Sequence, residues 1–296
     1  MRRPRFLRHL PAALALSPAT LIVLVVYVGC AIWSIRISMT ASRILPSDRF
    51  VGLRQYETLF TNTRWEVSVV NLAVFGSLFV LLALALGFLL AILIDEKVRG
   101  ENVFRSLFLY PFSMSFIVTG LVWQWLLNPS LGIQKVGRDH GFADFRFDWI
   151  IDQQMVIFTV VIAAIWHGAG LVMAIALAGL RGIDAEIWKA IRIDGIPTWR
   201  AYVSVILPML GGSVATAAVL LSISVVRLYD LVVAMTNGGP GLASEVPAKF
   251  VIDHLFDRQN IGLATAATTV MLITVLAVVA PWIYAQQRVA RRGRAP

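Results

Sequence analysis

Long apolar runs alternate along this chain with short polar islands. The runs cover residues 10–35, 67–94, 105–127, 155–180, 202–226 and 261–284. Each is long enough to cross a hydrocarbon core as a helix, which takes about 20 residues. The pattern predicts an all-α, polytopic membrane protein with six transmembrane helices over 10–287, between basic tails at 1–9 and 288–296. Pro111 is expected to kink the third span or mark its start, and Pro208 lies in the first turns of the fifth. Residues 36–66 read as an outer linker with a surface-lying segment near 52–60. Residues 128–154 read as loop, and 227–259 as a further outer segment.

One polar island is itself organised as a helix. Asp184 suits an N-cap, since its carboxylate can accept from the free N–H groups of a first turn. Glu186 follows where negative charge meets the positive end of the helix dipole. Gly195 can take the left-handed conformation that closes a helix, and Pro197 stops it from restarting. Residues 185–194 are therefore predicted as a helix of about ten residues, roughly 15 Å long. Ile187 and Ile191 share one face, while Glu186, Lys189 and Arg192 spread over the rest. Alone such a helix is marginal in water, so the flanking spans or a partner must hold it. Capping and amphipathicity leave two readings open: a connecting turn on the membrane surface, or a docking element.

Composition agrees with the runs: 58% of the 296 residues are hydrophobic and 15% charged, where a soluble domain carries about a quarter charged. The net charge of +9 does not point to nucleic acid, because Lys and Arg gather at the ends of the apolar runs, as membrane anchors do. Six spans put both termini on one side. The segments on that side carry 15 Lys and Arg against 11 on the other, which makes the termini and the 185–194 helix cytoplasmic. Val28-Gly29-Cys30 resembles a lipoprotein cleavage site, but the apolar run continues to Ile35, so the segment reads as an uncleaved first span. The single cysteine, Cys30, cannot form an intrachain disulfide and is silent on compartment.

Catalytic chemistry has no visible signature. The sequence lacks His-Glu-x-x-His, Gly-x-Ser-x-Gly and the phosphate-binding Gly-x-x-x-x-Gly-Lys loop. The four histidines, at 9, 140, 167 and 254, lie in separate segments and form no metal set, so neither a metal nor a cofactor is expected in this chain. Polar groups within the runs are the remaining candidates. Trp166-His167-Gly168-Ala169-Gly170 in the fourth run is either helix packing around a satisfied histidine, or the wall of a solute path with Trp166 as a stacking face. Arg227 and Asp230, three apart, either pair on one helical face or anchor at the surface. Ser222 and Ser224 are candidates because intramembrane polar groups are costly. Thr265, Thr268 and Thr269 are expected to bond their own backbone. Trp123, Trp125, Trp149 and Trp282 suit interfacial belts.

The island and its surroundings resemble a known family. Residues 189–195, Lys-Ala-Ile-Arg-Ile-Asp-Gly, followed by Tyr202-Val-Ser-Val-Ile-Leu-Pro208, are similar to the cytoplasmic EAA loop of ABC importer permeases. Phe50-Val-Gly-Leu-Arg-Gln-Tyr56, Phe108-Leu-Tyr-Pro111, Trp123, Asn128-Pro129, Tyr229-Asp230, Thr236-Asn-Gly-Gly-Pro240 and Gly262-Leu-Ala-Thr-Ala-Ala267 extend the likeness to carbohydrate-importer permeases of the maltose-transporter type. The finer pattern, Leu177-Ala-Gly-Leu-Arg-Gly182 with 230–241, looks most like the glucose/mannose importers.

The resemblance implies a type I permease subunit in a bacterial inner membrane, without an ATPase site of its own. Its implied partners are a second permease subunit, a cytoplasmic ATPase dimer that binds ATP and Mg, and an extracytoplasmic sugar-binding protein. It implies that Glu186, Lys189, Ala190, Asp194 and Gly195 fall at the ATPase contact, and that Trp166, His167 and Gly168 lie at the level of sugar contacts, with Ser224, Arg227 and Asp230 as further path candidates. The loop Gly238-Gly239-Pro240, a tight turn by itself, would touch the binding protein. The family's leading glutamate is Lys189 here and its second alanine is Ile191. That reversal of charge removes the family's usual salt bridge, so either the ATPase groove offers an acid or the second subunit supplies the glutamate. Other readings are a permease for a glucoside or another small polar solute, an intramembrane transferase, which would require paired carboxylates or a His cluster, and a passive scaffold, which would leave the capped island without a use.

Overall fold

The computed structural model describes residues 15–96 and 98–292, with side chains described as far as residue 277. The predicted tail 1–9, the first residues of the first span and the last four residues lie outside the described part. Among the described residues the chain is helical, and its one β-bridge pairs Thr40 with Phe50.

The helices are α1 (Ala15–Ser38), α2 (Arg54–Phe60), α3 (Thr63–Asp95), α4 (Glu101–Ser113), α5 (Phe116–Leu126), α6 (Ile133–Asp139) and α7 (Val156–Arg181). They continue as α8 (Ala185–Ile193), α9 (Thr198–Met209), α10 (Gly211–Val226), α11 (Asp230–Met235), α12 (Pro247–Ile252) and α13 (Ile261–Arg292). Of the described helices, α1, α3 and α7 are each long and apolar enough to cross a membrane, and the count rises to five if two bent pairs are each one span. Ile261–Ala277 is a further apolar stretch, and the helix containing it runs on through the predicted tail to Arg292.

The chain divides into two compact units, residues 1–63 with 250–296, and residues 64–249. In the first unit α1 and α2 both pack on α13. Tyr56 reaches Ser38 at 2.6 Å between hydroxyls, and Gln55 Nε2 donates to the Thr40 carbonyl at 3.0 Å. Gly262 closes this corner: its N–H donates to the Ser42 carbonyl at 2.9 Å, and a Cβ on it would stand 2.8 Å from the Thr40 oxygen.

The second unit is organised on α7, the most buried helix, which packs against α4 and α10. Its core has two parts. One joins Phe75, Phe79 and Ala83 of α3 to Val160, Val161 and Ala164 of α7 and to Leu221 and Leu231. The other joins Ala91 and Ile94 of α3 to Met173, Leu177 and Leu180 of α7 and to Ile191, Tyr202 and Ile206. Small residues let these helices close. A Cβ on Gly170 would lie 2.0 Å from the Phe108 carbonyl oxygen, and one on Gly87 would lie 2.4 Å from the Val172 side chain.

Three expectations are corrected. The predicted single span 105–127 is two helices, α4 and α5, meeting at 100°. Pro111 weakens the end of α4, Met114 is extended, and Ser115 caps a new helix by accepting from the Val118 N–H at 3.3 Å. The predicted span 202–226 starts earlier, at Thr198, and bends by 73° between α9 and α10. There Pro208 is followed by Leu210, which leaves helical geometry at ψ 8°. The segment 128–154, read as loop, contains α6, which the Gln134 amide ties back to Phe147 N–H at 2.7 Å and to the Pro129 carbonyl at 3.3 Å.

Glycine packing makes a direct test. Gly170→Ala forces atoms together in a closed contact and is expected to cost about 1–3 kcal/mol. The matched control Gly212→Ala places its methyl where no atom lies within 4 Å. Thermal unfolding in detergent should show a clearly lower midpoint for Gly170→Ala and none for Gly212→Ala.

Candidate functional site

The polar island folds as a closed unit. The Asp184 carboxylate accepts from the Glu186 N–H at 3.0 Å, and α8 then runs from Ala185 to Ile193. At the other end Gly195 adopts φ +67°. Its N–H donates to the Arg192 carbonyl at 3.3 Å, and the Ile196 N–H reaches back to the Ile191 carbonyl at 3.2 Å. This pair of bonds is a Schellman motif, and it satisfies carbonyls that a helix end would otherwise leave free. Pro197 then leads into α9.

The two faces of α8 differ in kind. Ile191 is buried, with Ile187 and Trp188 half-buried beside it, in the cluster that holds Leu177 and Leu180 of α7 and Tyr202 of α9. Trp188 meets Tyr202 edge-on, with ring centroids 5.6 Å apart. The candidates Glu186, Lys189, Ala190, Asp194 and Gly195 are all exposed, as is Arg192. Lys189 Nζ meets Glu186 Oε1 at 2.7 Å, so the cation that replaces the expected glutamate is answered within its own helix. Ile193 and Trp199 are also exposed, at 85% and 70%, which leaves apolar groups beside the charged face.

A second polar group fixes the ends of neighbouring helices. Arg181, the last residue of α7, contacts Glu101 at 2.7 Å and Asp95 at 3.7 Å. Partly exposed pairs of this kind are worth about 0–1 kcal/mol, so they orient the α3–α4 turn against α7 more than they stabilise it.

The candidates in α7 separate by environment. His167 and Gly168 are buried, and Trp166 is exposed. His167 Nδ1 shares a hydrogen bond with Thr119 Oγ1 at 3.1 Å, and its ring stacks on Phe116 at 4.3 Å. A Cβ on Gly168 would meet the Phe79 ring at 3.1 Å and Leu221 at 3.3 Å. These two residues therefore have the environment of helix packing, and the surface beside them belongs to Trp166, which meets Trp123 edge-on at 6.0 Å.

Ser224 lies one turn beyond Leu221 and donates to the Leu220 carbonyl at 3.2 Å, and Ser222 donates to Ala218 at 2.7 Å. Thr265, Thr268 and Thr269 likewise bond their own backbone. Arg227 is the C-cap just after α10 and Asp230 begins α11, so they share no continuous helical face, and among the described residues they form no ion pair.

After α11 the chain makes a cross-linked loop. The Thr236 and Ser244 hydroxyls lie 2.7 Å apart, and Ser244 Oγ donates to the Gly239 carbonyl at 2.7 Å, next to the cis bond to Pro240. Glu245, 2% exposed, accepts from Arg64 Nη2 at 2.7 Å and Nε at 3.1 Å. Asn71 Nδ2 donates to the carbonyls of Ala243 and Glu245 at 3.1 and 3.0 Å. Gly238 sits at φ +84°, where a Cβ would be 2.7 Å from Glu245 Oε2. Sequence reading missed Arg64, Glu245 and Thr119, because their partners lie 181 and 48 positions away.

Residues 63–292 match the family described as binding-protein-dependent transport system inner membrane component. A protein of Pyrococcus horikoshii described as a probable ABC transporter permease is 36% identical, covering 92% of this chain and 94% of its own. The xylose/arabinose import permease of Haloferax volcanii is 29% identical, covering 92% and 86%. In fold, the chain superposes with TM-score 0.80 and 16% identity on a chain of a bacterial ABC transporter involved in the import of the acidic polysaccharide alginate, over 97% of this chain and 99% of that one.

The caps of α8 are open to test by hydrogen exchange. Asp184→Ala should remove about 0.5–2 kcal/mol of helix stability, and Gly195→Ala about 1–2 kcal/mol through its left-handed backbone. Both should lower amide protection across 187–194. Lys189→Ala, which breaks only an exposed pair worth about 0.2–0.5 kcal/mol, should leave it nearly unchanged.

Proposed function

The chain belongs to the family of binding-protein-dependent transport system inner membrane components, and we propose that it is a permease subunit forming half of the path of an ATP-driven sugar importer. The observation that carries the proposal is α8. A nine-residue helix is capped at both ends, seated on α7 and α9 by Ile191 and Trp188, and turns a charged face outward with Ile193 and Trp199 beside it. That face is shaped to be held by another protein while the buried face passes movement to the membrane helices.

The partner of that face is a separate cytoplasmic ATPase dimer, which binds ATP and Mg and supplies the energy. Glu186, Lys189, Ala190, Asp194 and Gly195 form the contact. Since Lys189 is paired with Glu186, the ATPase surface needs no dedicated acid opposite it. Both termini lie on the same, cytoplasmic side of the cell membrane. A second permease subunit completes the path, and an extracytoplasmic binding protein delivers the solute near the loop 236–245.

In this chain the path runs along the exposed Trp166, with Ser224 on α10 and with Arg227 and Asp230 where α10 gives way to α11. His167 and Gly168 support it from behind by fixing α7 against Phe116 and Phe79. A neutral sugar suits the aromatic faces, and the named substrate of the Haloferax volcanii relative, xylose and arabinose, keeps the solute among simple sugars. The pattern 177–182 with 230–241 favours glucose or mannose.

The test is ATP hydrolysis by the complex purified with its ATPase, with and without sugar-loaded binding protein. Loaded protein should stimulate hydrolysis, and a panel of sugars should identify the substrate. Gly195→Pro, which cannot adopt the φ of +67°, should leave basal hydrolysis in place and abolish the stimulation. If no ATPase co-purifies and no sugar stimulates, the proposal is wrong.

A further inference from the structure

Asn128-Pro129 has no assigned role so far, and the segment Thr236–Pro240 only that of lying where the binding protein delivers its solute. They lie more than a hundred positions apart, yet they wall the same pocket, of about 300 Å³, with Gln124 and aliphatic side chains completing the lining. Most of their own polar groups are already spent on shape, the Asn128 Nδ2 group excepted. Asn128 Oδ1 accepts from the Ser130 N–H at 2.9 Å and hydroxyl at 2.7 Å. Thr236 Oγ1 is engaged with Ser244 and the Val232 carbonyl, and the Gly239 carbonyl accepts from Ser244. The wall built by 236–240 is therefore cross-linked through Ser244.

Gln124 is different. Among the described residues its amide makes no hydrogen bond to the protein, although it lines the pocket and is half-buried. A free side-chain amide presents one carbonyl acceptor and two N–H donors in one plane, a pattern that fits adjacent hydroxyl groups. No charged side chain lines the pocket, so an anionic solute would lose its hydration without gaining a cation. The volume, about 300 Å³, lies at the lower end of the range for ligand sites, about 300–1,000 Å³, and accommodates a sugar ring.

We infer that this pocket is a subsite for a single neutral sugar ring, held by the Gln124 amide between the Asn128-Pro129 turn and the 236–240 loop, and separate from the Trp166 surface. The inference rests on the sugar-permease reading above. It makes the two motifs a frame and Gln124 the residue that recognises the hydroxyls.

The experiment measures binding of radiolabelled D-glucose, D-mannose and D-xylose to the purified permease–ATPase complex without binding protein, alongside import by the reconstituted system. One of these sugars should bind saturably, glucose 6-phosphate should not compete, and Gln124→Leu should weaken binding at least tenfold. Gln124→Leu breaks no protein hydrogen bond, so its thermal midpoint should match wild type.

Other outcomes overturn the inference. Wild-type import with no free-sugar binding, or with binding unaffected by Gln124→Leu, removes the subsite and leaves the permease reading intact. If Gln124→Leu instead weakens docking of sugar-free binding protein and spares sugar binding, the pocket receives a protein side chain. If no sugar is imported or stimulates hydrolysis in wild type, the permease reading falls and the subsite with it.

Discussion

The position of α8 depends on the seating of Ile191 and Trp188. A helix of nine residues has too few internal hydrogen bonds to outweigh the cost of its nucleus, so α8 exists because something outside it holds it. Burying one isoleucine contributes about 1.5–3 kcal/mol and the N-cap about another 1, which together exceed any surface ion pair along it. Because that apolar contact falls on Leu177 and Leu180 of α7 and Tyr202 of α9, α8 cannot move far without carrying the ends of two membrane helices. Its charged face is free of this duty and remains available to a partner.

The same logic explains why the membrane helices are not all straight. An unbroken helix satisfies its own backbone, and any break needs local compensation. The break before α5 is capped by Ser115, and the one before α10 follows Pro208, a residue with no N–H to satisfy. The long helices α3 and α7 lie against one another through glycine and alanine, and the bent pairs pack on them. The loop after α11 handles charge by pairing it: Arg64 and Glu245 meet at 2.7 Å with both side chains largely buried, a site where an ion holds its charge only because it is paired.

Much of this was legible in the sequence wherever the cause is local. Asp184, Gly195 and Pro197 mark the ends of α8 within a few residues of each other, and the structure closes the helix at those residues. The apolar runs likewise locate helices, because hydropathy is summed over neighbours. What escaped was set at a distance. Nothing near His167 reveals Thr119, and nothing near Glu245 reveals Arg64. The bend between α4 and α5 was legible in part: Pro111 marked a kink, but the break itself falls at Met114, where Ser113 and Ser115 are too few to interrupt the apolar run. Helix α6 was missed because the side chain that ties it down, Gln134, looks like any loop amide until Phe147 folds back over it. Of the two readings open for Arg227 and Asp230, pairing on one face assumed an unbroken helix, which ends at Val226.

If α8 is gripped by a separate ATPase subunit, as proposed, its outward face must lie within reach of a short cross-linker to that subunit. Cys30 is the chain's single cysteine and is exposed, so Cys30→Ser supplies a clean background for Ala190→Cys on the outward face of α8. A short thiol-to-amine cross-linker added to the intact complex should link position 190 to a lysine of the ATPase subunit, both without nucleotide and with ATP bound. The link should form while the same reagent leaves Val203→Cys, one helix further on, unlinked. Linking at Val203 and none at Ala190, in either nucleotide state, would contradict the account.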